Sequence, residues 1–238
     1  TQNPKITYKD LLIPVQNIKV YVDFMSLLKS DAKIKKIDLI LEELDITELN
    51  KLSILIKPSN FKSLVNNRIK EGKLISEIEI FFTEQNELDN FIAKGSIRGL
   101  KAELFDEISL KKIDLEFFSD KNDVLIKNID GNLEDIKISN GDIKLNFENG
   151  IKLNSNFNSK FNFDKNLLSK YSKFLEKYDL GNNLKNLQAD FNNNLFIDFD
   201  STYKVKNYDY SISGEIKKGK FELLNSLKNN FIREDIKT

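Results

Sequence analysis

The chain has 238 residues and balances 37 Lys plus Arg against 37 Asp plus Glu, so it lacks the basic excess expected of a nucleic-acid binder. It contains no cysteine and no histidine, which excludes a disulfide framework, a thiolate metal site and the usual general base near neutral pH. No run of 18 apolar residues occurs, so no helix able to span a bilayer is expected within it.

Period-two alternation of apolar and polar residues dominates the chain, as in half-buried strands. The first run is Ile18, Val20 and Val22; a short turn at Phe24 to Leu28 leads to Ile37, Leu39 and Leu41. Residues 47–56 read as a helix ended by Pro58. Residues 60–70 read as a second helix, with Phe61, Leu64, Val65 and Ile69 on one face and Gly72 as its stop. Alternation resumes at Ile78, Ile80 and Phe82, then at Ile113, Leu115 and Phe117. Ile136 and Ile138 lead through Asn140-Gly141 to Ile143, Leu145 and Phe147. Asn149-Gly150 leads on to Ile151, Leu153, Phe157, Phe161 and Phe163.

Both Asn-Gly pairs are hairpin signals, because a type I′ turn needs positive φ at its two central residues. Asp130-Gly131, Lys218-Gly219 and Arg98-Gly99 are weaker turn candidates. A helix over 165–178 follows, with Asp164 as N-cap, Leu168 and Phe174 on its apolar face and Gly181 past its end. The last strands are Leu195, Ile197 and Phe199, then Tyr208, Tyr210 and Ile212. The tail from Leu223 to Ile232 has helical spacing.

The fold class expected is mainly β with a few short helices, laid out as one antiparallel meander. A soft boundary within the single 1–238 unit falls near 163–165. Every strand has one apolar face, which a sandwich, a closed barrel or a sheet curled into an open groove could cover. The 18 Phe and the absence of Trp suit a plain apolar wall without placed polar groups. The expected wall residues are Ile78, Ile80, Phe82, Ile113, Leu115, Phe117, Ile143, Leu145, Phe147, Ile151, Leu153, Phe157, Phe161, Phe163, Leu195, Ile197 and Phe199. A sixteen-carbon acyl chain buried there gains on the order of 12 kcal/mol before entropy losses.

The stretch Val15 to Ile46 resembles the strand, Leu-rich turn and strand near the start of AsmA-like proteins. Ile126 to Asp164 resembles the meander in the middle of AsmA, TamB and YhdP relatives. That resemblance implies a repeating β-groove (β-taco) similar to bridge-like lipid transfer proteins. It implies a non-enzymatic role in the bacterial envelope: binding phospholipid acyl chains, moving phospholipid and supporting outer-membrane integrity. The implied partners are the inner membrane, through an anchor outside this segment, and further groove segments or other envelope proteins. The chain departs from this pattern in carrying no anchor helix. It opens on Thr1 rather than Met, so it reads as an excised segment or a processed form. Some twelve strands would reach only about 58 Å, one segment of a conduit.

Catalytic signatures are absent: no G-x-x-x-x-G-K-[ST] loop, no G-x-S-x-G elbow and no H-E-x-x-H. Glu42-Glu43 and Glu134-Asp135 read as solvated surface. Asp120 to Asp123 has calcium-loop flavour but lacks the Gly and terminal Glu of an EF-hand, and reads as a turn. Asp198 and Asp200 are expected on the polar side of their strand. No cofactor is expected. The alternative to a lipid groove is a packed β-sandwich module of the envelope with no ligand.

Overall fold

The computed structural model describes residues 4–8, 11–28, 32–46, 68–105, 108–148, 150–170, 184–200, 202 and 204–221. In chain order these form β1 (Lys5–Tyr8), β2 (Leu11–Val22), α1 (Phe24–Leu28), β3 (Ile34–Leu41), β4 (Leu44–Asp45), β5 (Ile69–Phe82), β6 (Leu88–Phe105) and β7 (Ile108–Ser119). After them come β8 (Asp123–Leu133), β9 (Ile136–Asn146), β10 (Ile151–Phe163), α2 (Lys165–Lys170), β11 (Leu184–Phe199) and β12 (Val205–Phe221).

All twelve strands belong to one antiparallel sheet whose order follows the sequence, with β4 set beside β3 on the same edge of β5. The sheet does not close: β1 and β12 are its two margins. Each strand meets mainly its sequence neighbours, and α2 packs on β10 and β11. The expected mainly-β meander with few short helices is therefore the observed architecture. The β10–β11 ladder runs from Ile151↔Phe199 to Phe163↔Leu187.

A row of β-bulges crosses the middle of the sheet. Gly99 (φ 62), Lys112 (φ 53), Asn128 (φ 54) and Asn140 (φ 50) adopt left-handed backbone conformations on β6, β7, β8 and β9. The ladders shift register beside each of them. Two of the displaced amides are capped by the neighbouring strand: Gly99 N–H donates to Asp114 Oδ1 at 2.8 Å, and Asn128 N–H to Asp142 Oδ1 at 3.4 Å. A bulge bends its strand and increases local twist.

Four turn readings are corrected, three of them at or beside these bulges. Asn140-Gly141 lies inside β9, where Asn156↔Asp142 and Asn158↔Ser139 bracket the extra residue. One left-handed residue needs only a bulge, and the chain continues straight. Asp130-Gly131, Arg98-Gly99 and Lys218-Gly219 are likewise interior to β8, β6 and β12. The true β8–β9 turn is Glu134-Asp135, with Glu134 at φ 51. Gly150 (φ 96) does sit in the β9–β10 connection; Asn149 lies outside the described residues.

Gly72 belongs to β5 and does not stop a helix. Ile69, placed by the sequence on a helix face, pairs with Ala102. The helices read at 47–56, at 60–67 and over the tail, and the 171–178 part of the next one, lie outside the described residues. Strands β6 and β8 escaped the periodicity reading. Their apolar phase jumps at Gly99 and Asn128, and β6 places Ala93 and Gly95 where large residues would signal a face. Gly95 is required there, because a Cβ would come within 2.1 Å of Ile75 O and 2.9 Å of the Phe117 ring.

Three buried clusters mark one end of the strands. They are Val15, Leu41, Leu44 and Leu74; Ile46, Leu100 and Ile113; and Phe163, Leu168 and Leu184. Burying a large aliphatic side chain stabilises by roughly 1.5–3 kcal/mol, so this end anchors the sheet. α2 starts as its sequence predicts: Asn166 and Leu167 N–H groups both donate to Asp164 Oδ1 at 2.9 Å. That start points Leu168 onto Phe163 and Leu184.

Candidate functional site

Residues directly opposite in an antiparallel ladder share a face, so the register identifies one apolar surface. Ile18 faces Leu39, and Leu39 faces Ile78. The row continues through Ala93, Ser119, Val124 and Leu145. It ends through Leu153 and Ile197 at Tyr208. The adjacent row runs Ser76, Gly95, Phe117, Ile126, Ile143, Ser155, Leu195 and Tyr210.

The remaining expected wall residues fall on the same face. Ile80 pairs with Phe91, and Phe82 with Leu88. Leu115 pairs with Ile97 and Ile113 with Leu100. Ile151 pairs with Phe199, Phe157 with Asn193 and Phe161 with Ala189; Phe163 pairs with Leu187. Phe147 lies one residue past β9 and is 39% exposed. Periodicity missed Phe91, Ile97, Val124 and Ile126, for the phase reason given above.

Burial grades along this face. The end holding Val15, Ile113 and Phe163 is buried, with Leu44, Ile46 and, from α2, Leu168 packed among its clusters. The middle rows are half-buried. The opposite end is open, with Val20 at 50%, Val22 at 41%, Leu88 at 62% and Val205 at 54% exposure. α1 stands at that open end, joining β2 to β3. Ser26, buried, donates its hydroxyl to Asp23 O and accepts from Lys33 N–H. This fixes the turn with Phe24, Met25, Leu27 and Leu28 exposed.

The face is not purely apolar, contrary to the plain wall expected from composition. Ser76, Ser119, Ser155, Ser159 and Asn193 lie on it. Asn193 is 3% exposed and fully engaged. Its Nδ2 donates to Ser159 Oγ at 2.9 Å and to Phe157 O at 3.2 Å, and its Oδ1 accepts from Tyr210 Oη–H at 2.7 Å. Satisfied in this way, it links β10, β11 and β12 at modest desolvation cost. A buried Asn in an Asn-rich run gives no sequence signal.

The opposite face is the more polar one and is zippered by ion pairs, but it also carries Ile75, Phe81, Ile92, Phe118, Leu125 and Phe196, of which Ile75, Ile92 and Phe118 are exposed. Lys36 meets Asp38 at 2.8 Å and Glu79 at 3.0 Å, and these two carboxylates raise its pKa. Lys94–Glu77 and Lys101–Glu71 continue the pattern. Lys217 binds Asp190 and holds its carboxyl below the usual range. Asp198 lies on this face, opposite Lys152 and Asn207.

A shallow concavity of about 350 Å³ opens on the polar face, lined by Lys144, Asn156, Phe196 and Asp209 among others. The expected turn at Asp120 is present, its Oδ1 accepting from Asn122 and Asp123 N–H at 2.8 Å. Lys70 and Lys73 pair with Glu103 and Glu43. Glu134 accepts from Ser109 and Lys111. Among the described residues no cluster of His, Cys, Asp or Glu is placed to hold a metal, and no helix is long and apolar enough to cross a membrane. Comparison with family models, curated proteins and solved structures finds no match for this chain.

Proposed function

We propose that this protein binds phospholipid acyl chains non-enzymatically along the apolar face of its sheet, curled as an open groove, and passes them on in the cell envelope. The observation that carries the reading is the apolar row from Ile18 to Tyr208. It crosses ten strands, stays half-buried over most of its length, and has no second sheet on it among the described residues.

Three features support it. The bulge row supplies the bend that an open groove requires. Burial at one end of the strands and exposure at the other would give a trough that admits an acyl chain sideways while its head group stays in water. Strands of 11 to 18 residues from β5 to β12, at about 3.3 Å per residue, are longer than an extended sixteen-carbon chain. The resemblance to AsmA-like proteins points the same way, toward an envelope location and a membrane tether outside this segment. A packed, ligand-free scaffold module is the second reading, favoured by the buried clusters at one end of the strands and by the satisfied Asn193.

Native mass spectrometry of the purified protein, with lipid extraction, separates the two. The groove requires co-purifying phospholipid that falls at least several-fold in a Leu145→Asp, Leu153→Asp variant still folded by circular dichroism. A bare protein mass, and no uptake of fluorescent phospholipid from vesicles, would leave the packed module.

A further inference from the structure

We infer that two copies of this chain pair through β12, antiparallel and about a two-fold axis at Ser211. β12 is the outer strand at its margin, and among the described residues β11 is its sheet neighbour and nothing lies on its other edge. Every residue from Lys204 to Lys220 is exposed, including Tyr208 at 69%, Tyr210 at 51%, Ile212 at 49% and Ile216 at 60%. A long bare edge carrying apolar residues is a template for strand addition.

The strand itself limits where another can add. Its ladder with β11 is regular from Asn207 to Ile216 and shifts register just outside, at Lys206 and Lys217. Lys204, Lys206, Lys217, Lys218 and Lys220 flank this stretch, which itself holds no Lys or Arg. Bulges and lysines discourage pairing at both ends, so an incoming strand is confined to the centre.

That centre is self-complementary. With Ser211 opposite its own copy, Tyr210 faces Ile212, Asp209 faces Ser213, Tyr208 faces Gly214 and Asn207 faces Glu215, each on both sides of the axis. Tyr210 with Ile212 is an aromatic and β-branched cross-strand pair of a stabilising kind. Gly214 interrupts the apolar row between Ile212 and Ile216, and it has no room for a side chain: a Cβ would come within 2.1 Å of Asp190 O. Tyr208 of the second copy covers that gap, as an aromatic ring shields a glycine on the strand beside it. Both acids meet donors, the Ser213 hydroxyl opposite Asp209 and the Asn207 amide opposite Glu215. No like charges are opposed.

Neighbouring registers are poorer. Centred on Ile212, the pairing sets Asp209 against Glu215. Centred on Tyr210 or on Ser213, it runs into a bulge sooner and shortens the regular ladder. Residues directly opposite share a face, so the apolar faces of the two copies fall on one side, with the strand ends reversed between them. The contact is isologous and closes at two copies. It does not depend on whether the apolar face carries lipid.

The natural chain has no cysteine, so one introduced thiol reports the axis. Ser211→Cys is made in the full-length protein and oxidised with diamide, beside Ser213→Cys. Two-fold pairing at Ser211 gives a disulfide-linked dimer from Ser211→Cys and several-fold less from Ser213→Cys, whose opposite residue is Asp209. The natural chain should sediment as a monomer–dimer equilibrium with nothing larger. Ser213→Asp opposes Asp209 on both sides of the axis and should raise the dimer Kd roughly fivefold, in protein still folded by circular dichroism. Ser213→Lys makes two cross-strand ion pairs and should lower it by a similar factor, so a folding failure in one variant leaves the other as the test. Amide exchange in β12, fast in dilute protein, should slow at concentrations where the dimer forms. Equal disulfide yields from the two thiol variants, or a Kd indifferent to both charges, would overturn the register. Species larger than the dimer would overturn the closed pair in favour of an open chain of copies. A monomer at every concentration, with no disulfide from Ser211→Cys, would overturn the association itself. All of these readouts score contact between chains, so their failure is distinguishable from a failure to bind phospholipid.

Discussion

At the scale of single residues, the sheet depends on carboxylates that satisfy backbone amides at its irregularities. Asp200 closes the β11–β12 turn. Its Oδ1 accepts from Thr202 Oγ1–H and Thr202 N–H at 2.7 Å and from Lys204 N–H at 3.0 Å. The Thr202 hydroxyl, then the Lys204 amide, hold its pKa below the ordinary carboxylate value. A depressed folded-state pKa contributes stability that is full above the unfolded value of about 3.9 and is lost as pH falls through the folded one. Asp200→Asn should therefore be less stable than the natural chain at neutral pH, and the gap should shrink as pH falls from about 5 to about 3. Thermal melts of both proteins across that range check this. A gap independent of pH would show that the charge of Asp200 is irrelevant to the turn.

At the scale of elements, the bulges decide both shape and legibility. Asn128 holds φ 54 on β8, and its Nδ2 donates to Glu116 Oε2 at 3.0 Å. A β-branched residue in that conformation costs about 1–2 kcal/mol, whereas glycine adopts it freely. Asn128→Val should lower stability by about that amount in urea unfolding, and Asn128→Gly by less than about 1 kcal/mol. Equal losses would mean that the left-handed backbone is not what Asn128 provides.

The same bulges explain which strands could be read. Ile151 to Phe163 keeps one phase throughout and was legible as a single strand. Ile136 to Asn146 changes phase at Asn140, and the change looked like a turn. Where β8 shifts from Val124 and Ile126 to Ile129, periodicity dissolved and the strand was lost. Leu145, Leu153 and Ile197, which share the more apolar face, were legible as strand positions because they sit in unbroken runs. Asn193 and Ser159, which share that face, were not, because their burial depends on a register that no local pattern encodes.

At the scale of the whole molecule, each strand is supported chiefly by its two sheet neighbours. Such quasi-one-dimensional structures open from their ends. Amide hydrogen exchange should be fastest in β12, where every side chain from Lys204 to Lys220 is exposed, and slowest in the interior strands β6 to β10. Mass spectrometry of the exchanging protein resolves this gradient. Uniform protection across β6 to β12 would instead point to one packed cooperative unit, the structure expected of a ligand-free module.

By itself the sequence determined that this is an alternating, charge-balanced, antiparallel meander with one side more apolar than the other, because strand period and turn chemistry are local properties. The tertiary structure alone decided that the strands form one unclosed sheet, that the bulges align across it, and that its more apolar face is buried at one end of the strands and open at the other. Those features depend on which residues face each other across strands. A shift of one residue in that pairing moves every side chain to the opposite face.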